Sequence, residues 1–213
     1  MKTKYLSQKL IEINLTHLKE YSVFVEGFLK EKQKQFTSWI EELTSTITEE
    51  DRKEELCDAY SDDYSEVYPG ILRTSLFIAC FSLLEGELTK LCKRLNKKSK
   101  FSLDINDLTG KGIERARVYL KKVAGIDFPD ETNFWKDIII YQKIRNSILH
   151  NDKKIVDKDM EDIKKYITRT HSIEIDDSGR VIFHDNFCSE VIGNVYDFFV
   201  ALFSSLSKNG YEL

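Results

Sequence analysis

Hydrophobic residues recur at intervals of three and four along most of this chain, and alternation of apolar and polar residues occurs in one place only. Leu10, Ile13, Leu18, Val25, Phe28 and Leu29 keep roughly helical spacing, and Phe36, Trp39, Ile40 and Leu43 continue it, so residues 6–48 read as helix. Residues 49–67 are acidic and weakly periodic, which suggests a short helix and a loop; Pro69 fits the first turn of the next helix. Residues 70–98 give the strongest pattern. Phe77, Phe81, Leu84, Leu88, Leu91 and Leu95 form one stripe, and Ile78 and Ala79 widen it, as expected of a central helix. Gly86 interrupts that helix at a cost of about 1 kcal/mol relative to alanine, which suggests close approach of another helix.

Residues 99–110 read as a loop, and residues 111–124 as a basic helix ending near Gly125. After a break at Pro129 and Asp130, Thr132 or Asn133 is placed to cap a helix running to His150. Asp157 is placed to cap a short helix ending near Arg169. Ser172–Ile175 and Arg180–Phe183 alternate around Asp176-Asp177-Ser178-Gly179, the signature of a β-hairpin. A last helix, rich in aromatics, covers 186–207. The expected fold is mainly α: a bundle of long antiparallel helices with one small hairpin near 172–183. Residues 1–68 form an N-terminal helical and acidic segment packing on or extending the bundle, and residues 69–213 the main helical domain.

Composition narrows this only a little. The chain has 213 residues, 41% of them hydrophobic and 32% charged, with two prolines and nine glycines, which favours helices over a turn-rich β fold. No uncharged apolar run approaches the ~18 residues of a membrane span. The start lacks a signal-peptide core, so the expectation is a cytoplasmic protein without membrane contact. Cys57, Cys80, Cys92 and Cys188 form no Cys-x-x-Cys pair and read as reduced, buried thiols; no metal site or cofactor is expected.

Charge is more informative, because it is segregated. Residues 41–66 hold eleven acids against two bases, and residues 90–122 hold eleven bases against three acids, in a chain of net charge −4. The acidic stretch reads as solvated surface, or as a lid competing for the basic face. In the basic stretch, Lys93, Arg94, Lys97 and Lys98, extended by Arg115 and Lys121, are the candidate contacts to an RNA backbone. The plainer reading is favourable positive charge at a helix C-terminus.

Arg145-Asn146-Ser147-Ile148-Leu149-His150 carries the candidate chemistry. Arg145 continues an apolar line made by Phe134, Ile138 and Tyr141, where a hydrophobe is expected. Arginine is permanently cationic and histidine titrates near neutral pH, so the two together can hold a phosphate and move a proton. Five positions apart on a helix, they sit about 140° apart around the axis. One helix therefore does not bring them onto one face, and two copies paired across a symmetric dimer would. Glu85, bordering the stripe of the central helix, is a candidate partner for Arg145.

The R-x(4)-H spacing from Arg145 to His150, the polar Asn146 after the arginine, and the Glu85-bearing earlier helix resemble the HEPN superfamily. The resemblance covers about residues 70–207. It implies a helical bundle of HEPN type that homodimerises with its active site at the interface. It further implies a metal-independent endoribonuclease, of the kind found in toxin–antitoxin and anti-phage defence systems, with an antitoxin or regulatory protein as partner. Arg145 and His150 would be catalytic, Asn146 supporting, and Glu85 a less firmly placed fourth member. One subgroup carries a tyrosine two positions after the histidine, as a modification site; Asp152 stands there in this chain. The alternative expectation is a non-catalytic module on the same scaffold, holding nucleotide, RNA or protein.

Overall fold

The computed structural model describes residues 6–45, 47, 50, 52–55 and 63–211. Cys57 and much of the acidic stretch lie outside the described residues. The chain is mainly α, with one two-stranded antiparallel hairpin. Helix α1 spans Leu6–Thr44, and α2 spans Tyr68–Ser99 with Pro69 in its first turn. Helix α3 (Gly112–Val118) is short, α4 spans Asn133–His150 and α5 spans Asp157–Thr170. Strands β1 (Ile173–Ile175) and β2 (Val181–Phe183) precede α6, Phe187–Lys208.

The periodic stripes bury as expected. Phe77, Phe81, Leu84, Leu88, Leu91 and Leu95 of α2 meet Phe187, Phe198, Phe199 and Phe203 of α6 in one core, which Ile11 and Leu15 of α1 share. Residues 6–44 thus pack on the bundle and contribute to its interior. By length and mean hydropathy, residues 64–99 and helix α6 are long and apolar enough to cross a membrane, contrary to the expectation from uncharged runs. In this fold both supply apolar faces to the core.

Helix directions are mixed. Helix α2 runs antiparallel to α1, with Arg73 on Glu26 and Arg94 on Ser7. Helix α6 runs antiparallel to α4, where Asn194 Nδ2 donates to the Phe134 carbonyl at 2.9 Å and Phe187 meets Tyr141. Helices α2 and α4, however, run parallel: Phe77 meets Tyr141, and one turn further Phe81 meets Arg145. The connection over 100–132 is long enough to carry the chain back between them.

Three local expectations need correction. The basic helix changes at Tyr119 into a five-residue π-helical turn, where Ala124 N–H reaches back to the Tyr119 carbonyl at 3.1 Å. Val156, and not Asp157, occupies the cap position of α5; Asp157 is its first residue, where a carboxylate favours the positive end of the helix. Gly86 is not required by packing, since a Cβ there would meet open space.

Thr132 does cap α4, its hydroxyl accepting from Trp135 N–H at 3.3 Å. In the hairpin Ile173 pairs with Phe183, and Asp176 Oδ1 accepts from the backbone N–H groups of Ser178 and Arg180 to hold the turn. Cys80, Cys92 and Cys188 are buried, and burial pushes each thiol up to about 12. Such thiols are chemically quiet at neutral pH.

Candidate active site

Helix α4 positions the candidate motif. It buries Trp135, Ile138, Tyr141, Ile144 and Ser147 against α2 and α6, which fixes its rotation about its own axis. That rotation leaves Arg145 half-buried and turns Asn146 and His150 to solvent. The guanidinium carbon of Arg145 lies 6.0 Å from the centre of the Phe81 ring, within cation–π range. Its Nη1 donates to Asn146 Oδ1 at 3.2 Å. Its Nε is buried and has no hydrogen-bond partner. A buried N–H without a partner is costly, and an incoming anion would satisfy it.

Glu85 sits one turn beyond Phe81 on the same side of α2, close to Arg145 in the fold, but no ion pair joins the two. The carboxylate lies instead over the start of α3. A Cβ built on Gly112 would stand 2.5 Å from Glu85 Oε1. Gly112 is left-handed, with φ +57°, a conformation that glycine adopts without steric cost. Arg115, one turn further along α3, also has a buried Nε without a partner. The ends of α3 and α4 thus present two guanidiniums with unfilled donors on either side of the Glu85 segment. Arg115 entered the sequence reading only as one of a basic run; nothing in a single sequence separates it from its neighbours.

The chain after His150 is held firmly. Asn151 and Lys153 N–H both donate to the Ser147 carbonyl, at 3.0 and 3.1 Å, and close the helix end. Asp152 and Lys153 are left-handed, with φ of 49° and 64°. Val181 N–H donates to the Lys153 carbonyl at 3.2 Å, and Arg180 Nη2 reaches Asp152 Oδ2 at 2.5 Å. The hairpin therefore acts as a clamp on the loop that follows the motif. Asp152, noted in the sequence as standing at a tyrosine position, has this structural partner.

The basic stretch divides. Lys93, Arg94, Lys97 and Lys98 are exposed near the end of α2, and Arg94 donates to the Ser7 hydroxyl at 2.9 Å. Lys121 is committed to Asp130 at 2.5 Å, and Arg117 bonds the same carboxylate at 2.8 Å. Those hydrogen bonds, Lys121 first and then Arg117, hold the Asp130 carboxyl below the usual carboxylate range against the opposing effect of burial. Lys121 is thus a poorer candidate for a phosphate contact than its sequence neighbours suggest, because its charge is already neutralised within the protein.

No family model matches the chain, and neither a curated protein nor a solved structure is similar to it.

Proposed function

We propose that the chain is a metal-independent endoribonuclease of HEPN type, with Arg145 and His150 as its catalytic residues. The observation that carries this reading is the Arg145 guanidinium: half-buried at the end of an apolar helix, stacked on Phe81, with an unfilled Nε donor. A permanently charged group held this way suits a phosphate whose negative charge grows during reaction. His150, on the exposed end of the same helix, takes the proton from a ribose 2′-hydroxyl. The 2′-oxygen attacks the adjacent phosphorus, and the bond to the 5′-oxygen breaks. That oxygen leaves with a proton, giving a 2′,3′-cyclic phosphate and a 5′-hydroxyl. DNA, lacking the nucleophile, is spared. Asn146 holds one arm of the guanidinium, and Glu85 and Arg115 border the space beyond it. A toxin or anti-phage effector, kept in check by a protein partner, is the setting that the sequence resemblance suggests.

One observation favours a second reading. His150 has no hydrogen-bond partner among the described residues to fix its ring, whereas a general base is ordinarily oriented by one. Either a second copy of the chain supplies that partner across a dimer through α4, or the site binds RNA or nucleotide without cutting it.

The test is incubation of purified protein with a structured RNA in excess EDTA, beside His150→Ala and Arg145→Lys, with the ends mapped. Cleavage by wild type to cyclic-phosphate ends is expected. His150→Ala should lose roughly 10²–10⁴-fold of it. Arg145→Lys should lose at least roughly tenfold, since a lysine keeps the charge but not the planar donor fork. Salt-dependent binding of RNA without cleavage by wild type would instead select the binding module.

A further inference from the structure

Helix α1 has two apolar faces. One is buried, formed by Ile11, Leu15 and Leu29 against α2 and α6, with Ser22 and Glu26 between them. The other is exposed. Leu6, Leu10, Ile13, Tyr21, Phe24 and Phe28 recur every three to eight residues on one side of the helix, and each is about half exposed or more, with Leu6 and Phe24 at 72%. At 100° per residue the centres of the two faces lie about 135° apart, so the core does not account for the second. Single exposed hydrophobes need no explanation, but a continuous stripe of six large ones, about 33 Å long, does. With three aromatics of roughly 150–250 Å² each and three aliphatics exposed to this degree, the stripe approaches the ~800 Å² that each partner of a specific interface covers.

We propose that this face joins two copies of the chain, their α1 helices packed antiparallel. The stripe is self-complementary under a two-fold axis and under no parallel arrangement. Its N-terminal half is aliphatic (Leu6, Leu10, Ile13) and its C-terminal half aromatic (Tyr21, Phe24, Phe28), so antiparallel packing lays each half on the other kind. Charge follows the same rule. Lys9 flanks the aliphatic half and Glu31 the aromatic half, on the same edge of the stripe and both exposed. In antiparallel pairs same-edge residues face each other, so each Lys9 comes opposite a Glu31. A parallel pair would set lysine level with lysine and glutamate level with glutamate. The near three-and-four spacing suits knobs-into-holes packing along a helix pair. On the opposite edge Lys32 lies over the Phe28 ring, 5.7 Å from its centre, and its stem can cover the end of the aromatic half. This interface does not rest on the nuclease reading and does not involve the α4 motif.

Size-exclusion chromatography with light scattering on the full chain tests it. Wild type is expected as a particle of even copy number, and Leu10→Glu combined with Phe24→Glu is expected to halve its mass with the far-UV circular dichroism unchanged. Lys9→Glu and Glu31→Lys should each weaken association by roughly five- to tenfold, two such pairs being lost per dimer, and the double reversal should restore it. A monomeric wild type at micromolar concentration would overturn the proposal. So would an unchanged mass in the Leu10/Phe24 variant, which would place any dimer elsewhere, for instance on α4. Failure of the double reversal to recover association would overturn the antiparallel arrangement.

Discussion

Arg73 and Glu26 form a two-pronged ion pair across the α1–α2 interface, Nε to Oε1 at 2.7 Å and Nη2 to Oε2 at 2.8 Å, and the third arm of the arginine donates to the Phe183 carbonyl at 2.9 Å. One side chain thus ties the N-terminal helix, the central helix and the hairpin together. The side chains are 16% and 11% exposed, so little water is left to replace a lost partner. The hydrogen bonds to Glu26 raise the Arg73 pKa further above its already high ordinary value. Glu26→Gln keeps the shape but removes the charge, leaving a buried cation without its counterion. Urea unfolding should show a loss of about 3–5 kcal/mol. Replacing both residues by apolar ones of similar size should cost far less, because the desolvation of two charges disappears with the pair.

Asp130 gives the fold an acid sensitivity with a definite sign. Lys121 and Arg117 lower its folded-state pKa below the ~3.9 of an unfolded chain. Between the two values the unfolded state binds more protons, so stability rises with pH there. The contribution is fully present above about pH 4 to 5 and is lost as pH falls through the folded value. Asp130→Asn should therefore cost about 1–2 kcal/mol at pH 7, the partners being partly exposed and screened. The cost should vanish toward pH 2. Thermal unfolding of both proteins at several pH values measures it. A difference that stays constant with pH would show that the ion pairs do not hold in solution.

The loop after the motif stores strain at Lys153. A left-handed residue with a Cβ costs roughly 1–2 kcal/mol, and Lys153 follows another at Asp152. Lys153→Gly should stabilise the protein by about 0.5–1 kcal/mol, the larger entropy of glycine in the unfolded chain offsetting part of the gain. Arg180→Ala removes the contact to Asp152 that clamps this loop. It should raise amide exchange at residues 151–155 and leave α2 and α6 protected. Equal protection in both proteins would mean that the backbone bonds to β2 hold the loop without the side chain.

The helices were legible in the sequence because burial follows local periodicity. The Phe77–Leu95 stripe and the Thr132 cap needed only nearest neighbours along the chain, and so did the Asp176–Gly179 turn. What escaped depends on how elements meet. Gly86 looks like a packing glycine until α2 is seen with open space beside it. Lys121 looks free until Asp130 folds back onto it. Arg145 and Glu85 were placed near each other, yet the carboxylate turns toward Gly112, whose left-handed backbone no spacing rule announces. The motif itself was legible, but whether Arg145 would be stacked, bonded or unfilled was set by the rotation of α4, which the core decides. The exposed face of α1 was hidden for another reason: its apolar residues interleave with the buried ones, and a single helical stripe absorbed both.

Gly112 and Glu85 make the last prediction, one that bears on the proposed site. Alanine at 112 would bring a Cβ to 2.5 Å from Glu85 Oε1, at a φ that disfavours any side chain. The backbone term alone is about 1–2 kcal/mol, and the carboxylate must also move. Glu85 is the end of a flexible side chain, so it should yield by turning away from α3. Gly112→Ala should thus cost about 1–3 kcal/mol. In a Glu85→Ala background the same substitution should cost less, leaving only the backbone part, and the shortfall measures the contact. Cleavage assays on the same four proteins separate the two roles of Glu85. If the carboxylate positions a group in the reaction, Gly112→Ala should reduce cleavage beyond its effect on stability, and Glu85→Ala should reduce it at least as much. If Glu85 serves only the packing of α3, activity should follow the folded fraction in all four. That result would remove Glu85 from the site and leave Arg145 and His150 to carry it.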